Sequence, residues 1–170
     1  MAAEEITMSM RAAADHLRTA RKALRGKEFY SCVFHSASAG ENAANALILS
    51  LGGVIPRTHR DAEAMREVAL KRSPELLREG DFRRALEKLR GLEKHVVMSR
   101  YPIEVKEGKY LPPHEYYKRK DAERALEDAR FVVEVIKRLI AAKNVGQLRR
   151  KSAKRWSRVK EIRKWRELRK

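Results

Sequence analysis

The chain has 170 residues, 43% of them hydrophobic and 37% charged, with 40 Lys and Arg against 23 Asp and Glu. That length suits one domain with an appendage, and the apolar fraction supplies a real core. Only 8 Gly and 5 Pro interrupt a sequence dominated by good helix formers, which predicts an all-α fold. The single Cys32 excludes an internal disulfide, so nothing calls for an oxidising compartment.

No basic start and apolar stretch opens the chain, and the longest uncharged apolar run, Ala46 to Ile55, is about half a membrane span. A cytoplasmic protein without membrane contact is expected. The excess of charged residues also fits a thermophile. The charge is placed unevenly. Residues 143–170 hold 13 basic side chains and only Glu161 and Glu167, a net of +11 out of +17. The sequence therefore divides into a helical body, 1–142, and a basic extension, 143–170.

In chain order, the first predicted helix runs from about Glu4 to Leu24, with Ala13, Leu17, Ala20 and Leu24 on one face and Gly26 as its stop. The second runs from Glu28 to Leu51 and ends at Gly52-Gly53. Its middle, Ser36 to Ala44, is made of small residues apart from Glu41 and Asn42, which allows another helix to approach closely and predicts a central position. Thr58 or Asp61 is placed to cap a short third helix reaching about Leu70. A fourth runs from about Asp81 to Val97 with Phe82, Ala85, Leu86, Leu89 and Leu92 as its stripe. Arg100-Tyr101-Pro102 through Pro112-Pro113 reads as a loop, and no alternation predicts strands. The fifth helix starts near Asp121 and carries apolar positions from Ala122 to Ile140 at helical spacing.

Several segments, taken in order, resemble a known family. Phe29-Tyr30, Phe34-His35, Ala39-Gly40-Glu41-Asn42-Ala43, Gly52-Gly53 and Thr58-His59-Arg60-Asp61 look like the first half of a HEPN domain. His95 to Pro102, Tyr116-Tyr117 and Asp121-Ala122-Glu123 look like its second half. The resemblance implies an antiparallel four- to five-helix bundle, here with an extra basic C-terminal helix, usually dimeric. It implies a link to nucleotides or RNA, toxin–antitoxin pairs among them, often beside a minimal nucleotidyltransferase as partner. It also implies the alternative of a metal-independent RNA endonuclease, in which an Arg and a following His are separated by four to six residues.

The sequence departs from that endonuclease pattern. After Arg100, the positions for the His hold Val105, Lys106 and Glu107, and His114 lies much farther along. Arg90 and His95 have the spacing but fall inside the fourth helix, where five residues turn about 500° and point the side chains about 140° apart. A binding protein is therefore favoured over an enzyme, with Arg100, His95 and His59 as the catalytic candidates if there is cleavage. Where relatives commonly place a Lys, this chain has Asn45.

The expected nucleotide or RNA contacts are Glu41, His59, Arg100 and Tyr101. Arg binds phosphate through paired N–H donors, and Tyr stacks on a base. A carboxylate such as Glu41 among small residues needs a partner, for which His59 or Arg100 is available. His35 reads as a core or interface residue. No Glu-x-x-His pair or Gly-rich phosphate loop is present, so no metal or cofactor is expected.

In the extension, Ala153, Trp156, Val159, Ile162, Trp165 and Leu168 recur every third position. Each step falls about 60° short of a full turn, so these groups spiral around a helix roughly 30 Å long. Arg149, Arg150, Lys154, Arg155, Arg158 and Arg163 fill positions between them. Such a cationic helix is expected to contact RNA or DNA in a salt-dependent way, with Trp156 and Trp165 stacking on bases. The other readings are a solvated basic helix whose two Trp anchor it to the bundle or to a second subunit, and a structural or protein-interaction module that binds a protein partner.

Overall fold

The computed structural model describes the backbone of residues 2–167 and the side chains of residues 3–143. The chain falls into two compact units, 1–137 and 138–170. The division lies five residues before the break in charge and one residue after Ile136, the last fully buried side chain among the described residues. The first unit is a helical bundle, and the expectation of an all-α protein is met.

Helix α1 (Ala2–Arg25) and helix α2 (Phe29–Ser50) pack along their lengths as an antiparallel pair. Ala13, Leu17 and Ala20 are buried on α1, and so is Ala23, whereas Leu24 is half-buried. Both helices end on the same kind of turn hydrogen bond, Glu28 N–H to Ala23 O after α1 and Gly53 N–H to Ile48 O after α2, each 2.9 Å. This termination needs one residue at positive φ. After α2 that residue is Gly52, at φ +77, which meets no steric penalty; after α1 it is Lys27, at φ 63, one residue beyond the expected Gly26.

The small middle of α2 is buried, as its composition predicts, and α2 packs on α1, α3 and α4. At Gly40 an added Cβ would stand 3.1 Å from a methyl of Leu89 and 3.1 Å from one of Leu92, so the glycine sets the separation of α2 and α4.

Helix α3 (Asp61–Arg72) is followed by a 3-10 turn, Pro74–Arg78, and by helix α4 (Gly80–Met98). The cap of α3 is not local. Neither Thr58 nor Asp61 supplies it; the carboxylate of Glu93, on α4, accepts from Ala62 N–H at 2.6 Å.

The loop expected after Arg100 contains a short antiparallel hairpin, strand β1 (Ile103–Lys106) with strand β2 (Lys109–Leu111). Its turn holds Gly108 at φ +71, and Ile103 is its buried member. Four charged residues among nine mask the Ile103/Val105 alternation. A one-turn helix α5 (Pro113–Tyr116) leads into helix α6 (Arg119–Glu167). Asp121 accepts from Lys118 N–H at 2.9 Å and so closes the start of α6.

Candidate functional site

Helix α4 ends where Ser99 and Arg100 donate backbone hydrogen bonds to His95 O and Val97 O, at 3.1 and 2.9 Å. Pro102 holds Tyr101 out of the helical region, and the chain leaves toward the hairpin. Arg100 projects from this corner onto α2. Its guanidinium carbon stands 4.7 Å from the centre of the Phe34 ring. Among the described residues, no carboxylate lies within ion-pair distance of Arg100. The ring fixes the plane of the cation and leaves its N–H edge open. Tyr101, 61% exposed, stands beside it.

Phe34 continues into a row of rings. His35 meets it edge-on, with centroids 5.1 Å apart, and His16 of α1 lies 5.2 Å beyond His35. The Nδ1 atoms of His16 and His35 are 2.9 Å apart and share one hydrogen bond between the helices. Burial holds both imidazoles below the ordinary histidine range. For His16 this is partly offset by Asp15 and Glu41; for His35 it is reinforced by His16.

A second polar cluster lies seven residues along α2 from Phe34, on the same face of the helix. Glu41 Oε1 is 3.5 Å from His59 Nδ1, one of the two partners the sequence left open. Beneath them Asp61 is 2% exposed, and its Oδ2 has no hydrogen-bond donor. Burial, with Glu41 and Glu93 adding to it, pushes the Asp61 carboxyl up to about 7. Glu93 is likewise raised by burial, against the N–H groups of Ala62 and Asp61 that it accepts. Asn45 Oδ1, one turn beyond Glu41, is a second buried acceptor without a partner. Among the described residues, no group of three His, Cys, Asp or Glu side chains is arranged to hold a metal ion.

The remaining histidine candidate points elsewhere. His95 Nδ1 and the buried Tyr117 hydroxyl share a hydrogen bond of 3.0 Å. Burial lowers the affinity of His95 for a proton and raises the Tyr117 pKa. Arg90 and His95 both lie inside α4, so their spacing does not bring them to one point. His114, on α5, is 3.7 Å from its neighbour Glu115.

The structure thus joins Glu41 to His59 and sets Arg100 beside Tyr101, but these two pairs sit at separate stations along α2. Phe34 and His16 join these groups without having been among the contacts expected from the sequence. Phe34 and Glu41, seven residues apart on one helix, were the available signal; His16, on another helix, offered none. The expected extension contacts Arg149, Arg150, Lys154, Arg155, Trp156, Arg158, Arg163 and Trp165 lie outside the residues whose side chains are described. Among the described residues, no helix is long and apolar enough to cross a membrane.

A helical bundle with an open arginine at the end of α4 and a polar face on its central helix defines the class, and comparison with known proteins places it. The HEPN domain profile matches residues 6–139, and the chain belongs to the HEPN family. It is 34% identical over 131 residues to a Methanocaldococcus jannaschii protein named "Putative toxin MJ1304", covering 77% of this chain and 85% of that one. Two solved structures share the fold. One is ST0689, an archaeal HEPN homologue, with a TM-score of 0.60 and 24% identity over 79% of this chain and 97% of the other. The other is TT1696 from Thermus thermophilus, with a TM-score of 0.63 and 21% identity over 78% and 96%.

Proposed function

We propose that this chain is a toxin-type HEPN protein that holds a phosphate-bearing ligand, RNA or a nucleotide, at Arg100. It acts as a homodimer beside a nucleotidyltransferase partner, and its basic extension adds nucleic-acid contacts. One observation carries the reading: the Arg100 guanidinium is laid on Phe34 with no described carboxylate engaging it. A cation fixed in plane with open donors is prepared for a phosphate, because little of its freedom is left to lose on binding. Tyr101 is placed to stack on a base. The relative named as a toxin and the family resemblance support the setting; the extension's charge supports the affinity.

Within one protomer, binding is favoured over cleavage. His59 is engaged by Glu41 and His95 by Tyr117, so neither imidazole is poised over the Arg100 donors. The second reading is a metal-independent RNA endonuclease centred on Arg100.

One experiment separates them. End-labelled RNA is incubated with the protein in chelator, beside Arg100→Ala, and both retention and strand length are read. The reading expects retained, intact RNA and weaker retention by the variant. Fragments made by the wild type and not by the variant would establish the endonuclease instead.

A further inference from the structure

The inter-helix imidazole pair stands next to the Arg100 corner and is not used by the reading above, on which the following inference rests. We propose that His16 and His35 complete the site begun at Arg100. In this arrangement a phosphate group is held between guanidinium and imidazole, and the pair takes up one proton as the ligand binds.

The geometry fixes the number of protons. An Nδ1–H···Nδ1 bond of 2.9 Å needs one donor and one bare acceptor. In the uncharged pair one ring donates, and each ring keeps its Nε2 for other contacts. Adding one proton, at an Nε2, converts the donor ring to an imidazolium while the Nδ1 bond survives as a stronger, charge-assisted one. Adding a second would set two N–H donors against each other. The pair therefore accepts one charge and resists two.

The surroundings state what would bring that proton in. On α1, Asp15 favours the charge but is engaged 2.9 Å away by Arg18. On α2, Glu41 favours it too but is engaged by His59. Across Phe34 stands the Arg100 cation, which opposes a second positive charge nearby. Burial opposes it as well. An anion bound at Arg100 reverses the balance, since it cancels the guanidinium field and offers the imidazolium a counter-charge. Both histidines are half-buried, within reach of a ligand at the surface. A metal bridging the two rings is not supported, since the described residues supply no third ligand.

The test uses the full-length protein with two probes, a fluorescent single-stranded RNA of mixed sequence and labelled ATP, at constant ionic strength. Affinity is expected to rise as pH falls from about 8 to about 6, with a slope approaching tenfold per pH unit where the proton is taken up. His35→Gln and His16→Gln, which keep a neutral hydrogen-bonding group, should bind with the slope removed. Calorimetry of the wild type in two buffers of different ionisation heat should count about one proton near neutral pH. This count needs no variant to fold.

A slope with RNA alone assigns the ligand to a phosphodiester backbone, and one with ATP alone assigns it to a nucleotide; either supports the proposal. A flat profile with both probes, a proton count near zero, or an unchanged slope in both glutamine variants overturns it. If Arg100→Ala weakens binding while the glutamine variants keep the slope, only the histidine inference fails. If Arg100→Ala changes nothing, the Arg100 reading falls first.

Discussion

Two polar clusters share helix α2, and they differ in what surrounds them. Around Asp61 the carboxylates are crowded and sealed: Asp61 is 2% exposed, and Glu93 is turned inward to cap α3. Around Arg100 the groups are cationic or aromatic and face outward from a helix end. Burial makes the first cluster a matter of stability, because Asp61 is closed off from solvent and Glu93 is committed to the start of α3. Exposure makes the second a matter of ligands. A titratable group shifted by burial is not, by that fact alone, part of a site.

The comparison breaks most forcefully at Gly40, which lies between the two stations. Gly40→Val would force α2 away from Leu89 and Leu92, at an expected cost of about 1–3 kcal/mol. Because both clusters hang on α2, chemical denaturation should report the loss, and RNA retention should fall with it. Glu93→Ala tests the sealed cluster alone. It leaves the Ala62 N–H without its acceptor, and the expected loss is about 1–3 kcal/mol by urea unfolding, with RNA retention unchanged.

Asp61 supplies a pH test of the same contrast. Its carboxyl is raised to about 7 in the folded protein, above its unfolded value, so the native state binds the extra proton. Stability from this residue is therefore lost as pH rises from about 4 through about 7. Asp61→Asn should remove that alkaline decline, raising the melting temperature at pH 8 relative to wild type by an amount worth about 1–2 kcal/mol, while a difference that persists unchanged at pH 5 would reject the assignment. His16, His35 and His95 act in the opposite direction. Their lowered proton affinity means that stability is lost as pH falls below the ordinary histidine range.

The smallest effect is expected at the open cluster. Phe34→Leu keeps an apolar side chain but removes the π face beneath Arg100, costing about 0.5–1 kcal/mol of stability. Its consequence for ligand affinity should exceed its consequence for melting temperature, since the guanidinium loses its fixed plane.

The helical class, the central position of α2 and most helix bounds were legible because small residues, glycines and apolar spacing act locally. That Glu41 needs a partner was legible, because an acidic side chain among Ala and Ser requires one; the choice of His59 over Arg100 was not. What sequence left hidden depends on contacts between distant segments. The cap of α3 comes from Glu93, thirty-one residues beyond Ala62. The stacking of Arg100 on Phe34 and the meeting of His16 with His35 require the packed bundle. The hairpin after Arg100 escaped notice because its strands are only four and three residues long, too short to show an alternation.

The central claim is that Arg100 is an open phosphate contact. Equilibrium binding of fluorescent RNA to the full-length protein, wild type beside Arg100→Ala at equal salt, tests it most directly. Loss of one charge-assisted contact, about 1.5–3 kcal/mol, predicts affinity weaker by roughly ten- to a hundredfold in the variant, with the helical content unchanged. Equal affinity for the two proteins would contradict the account.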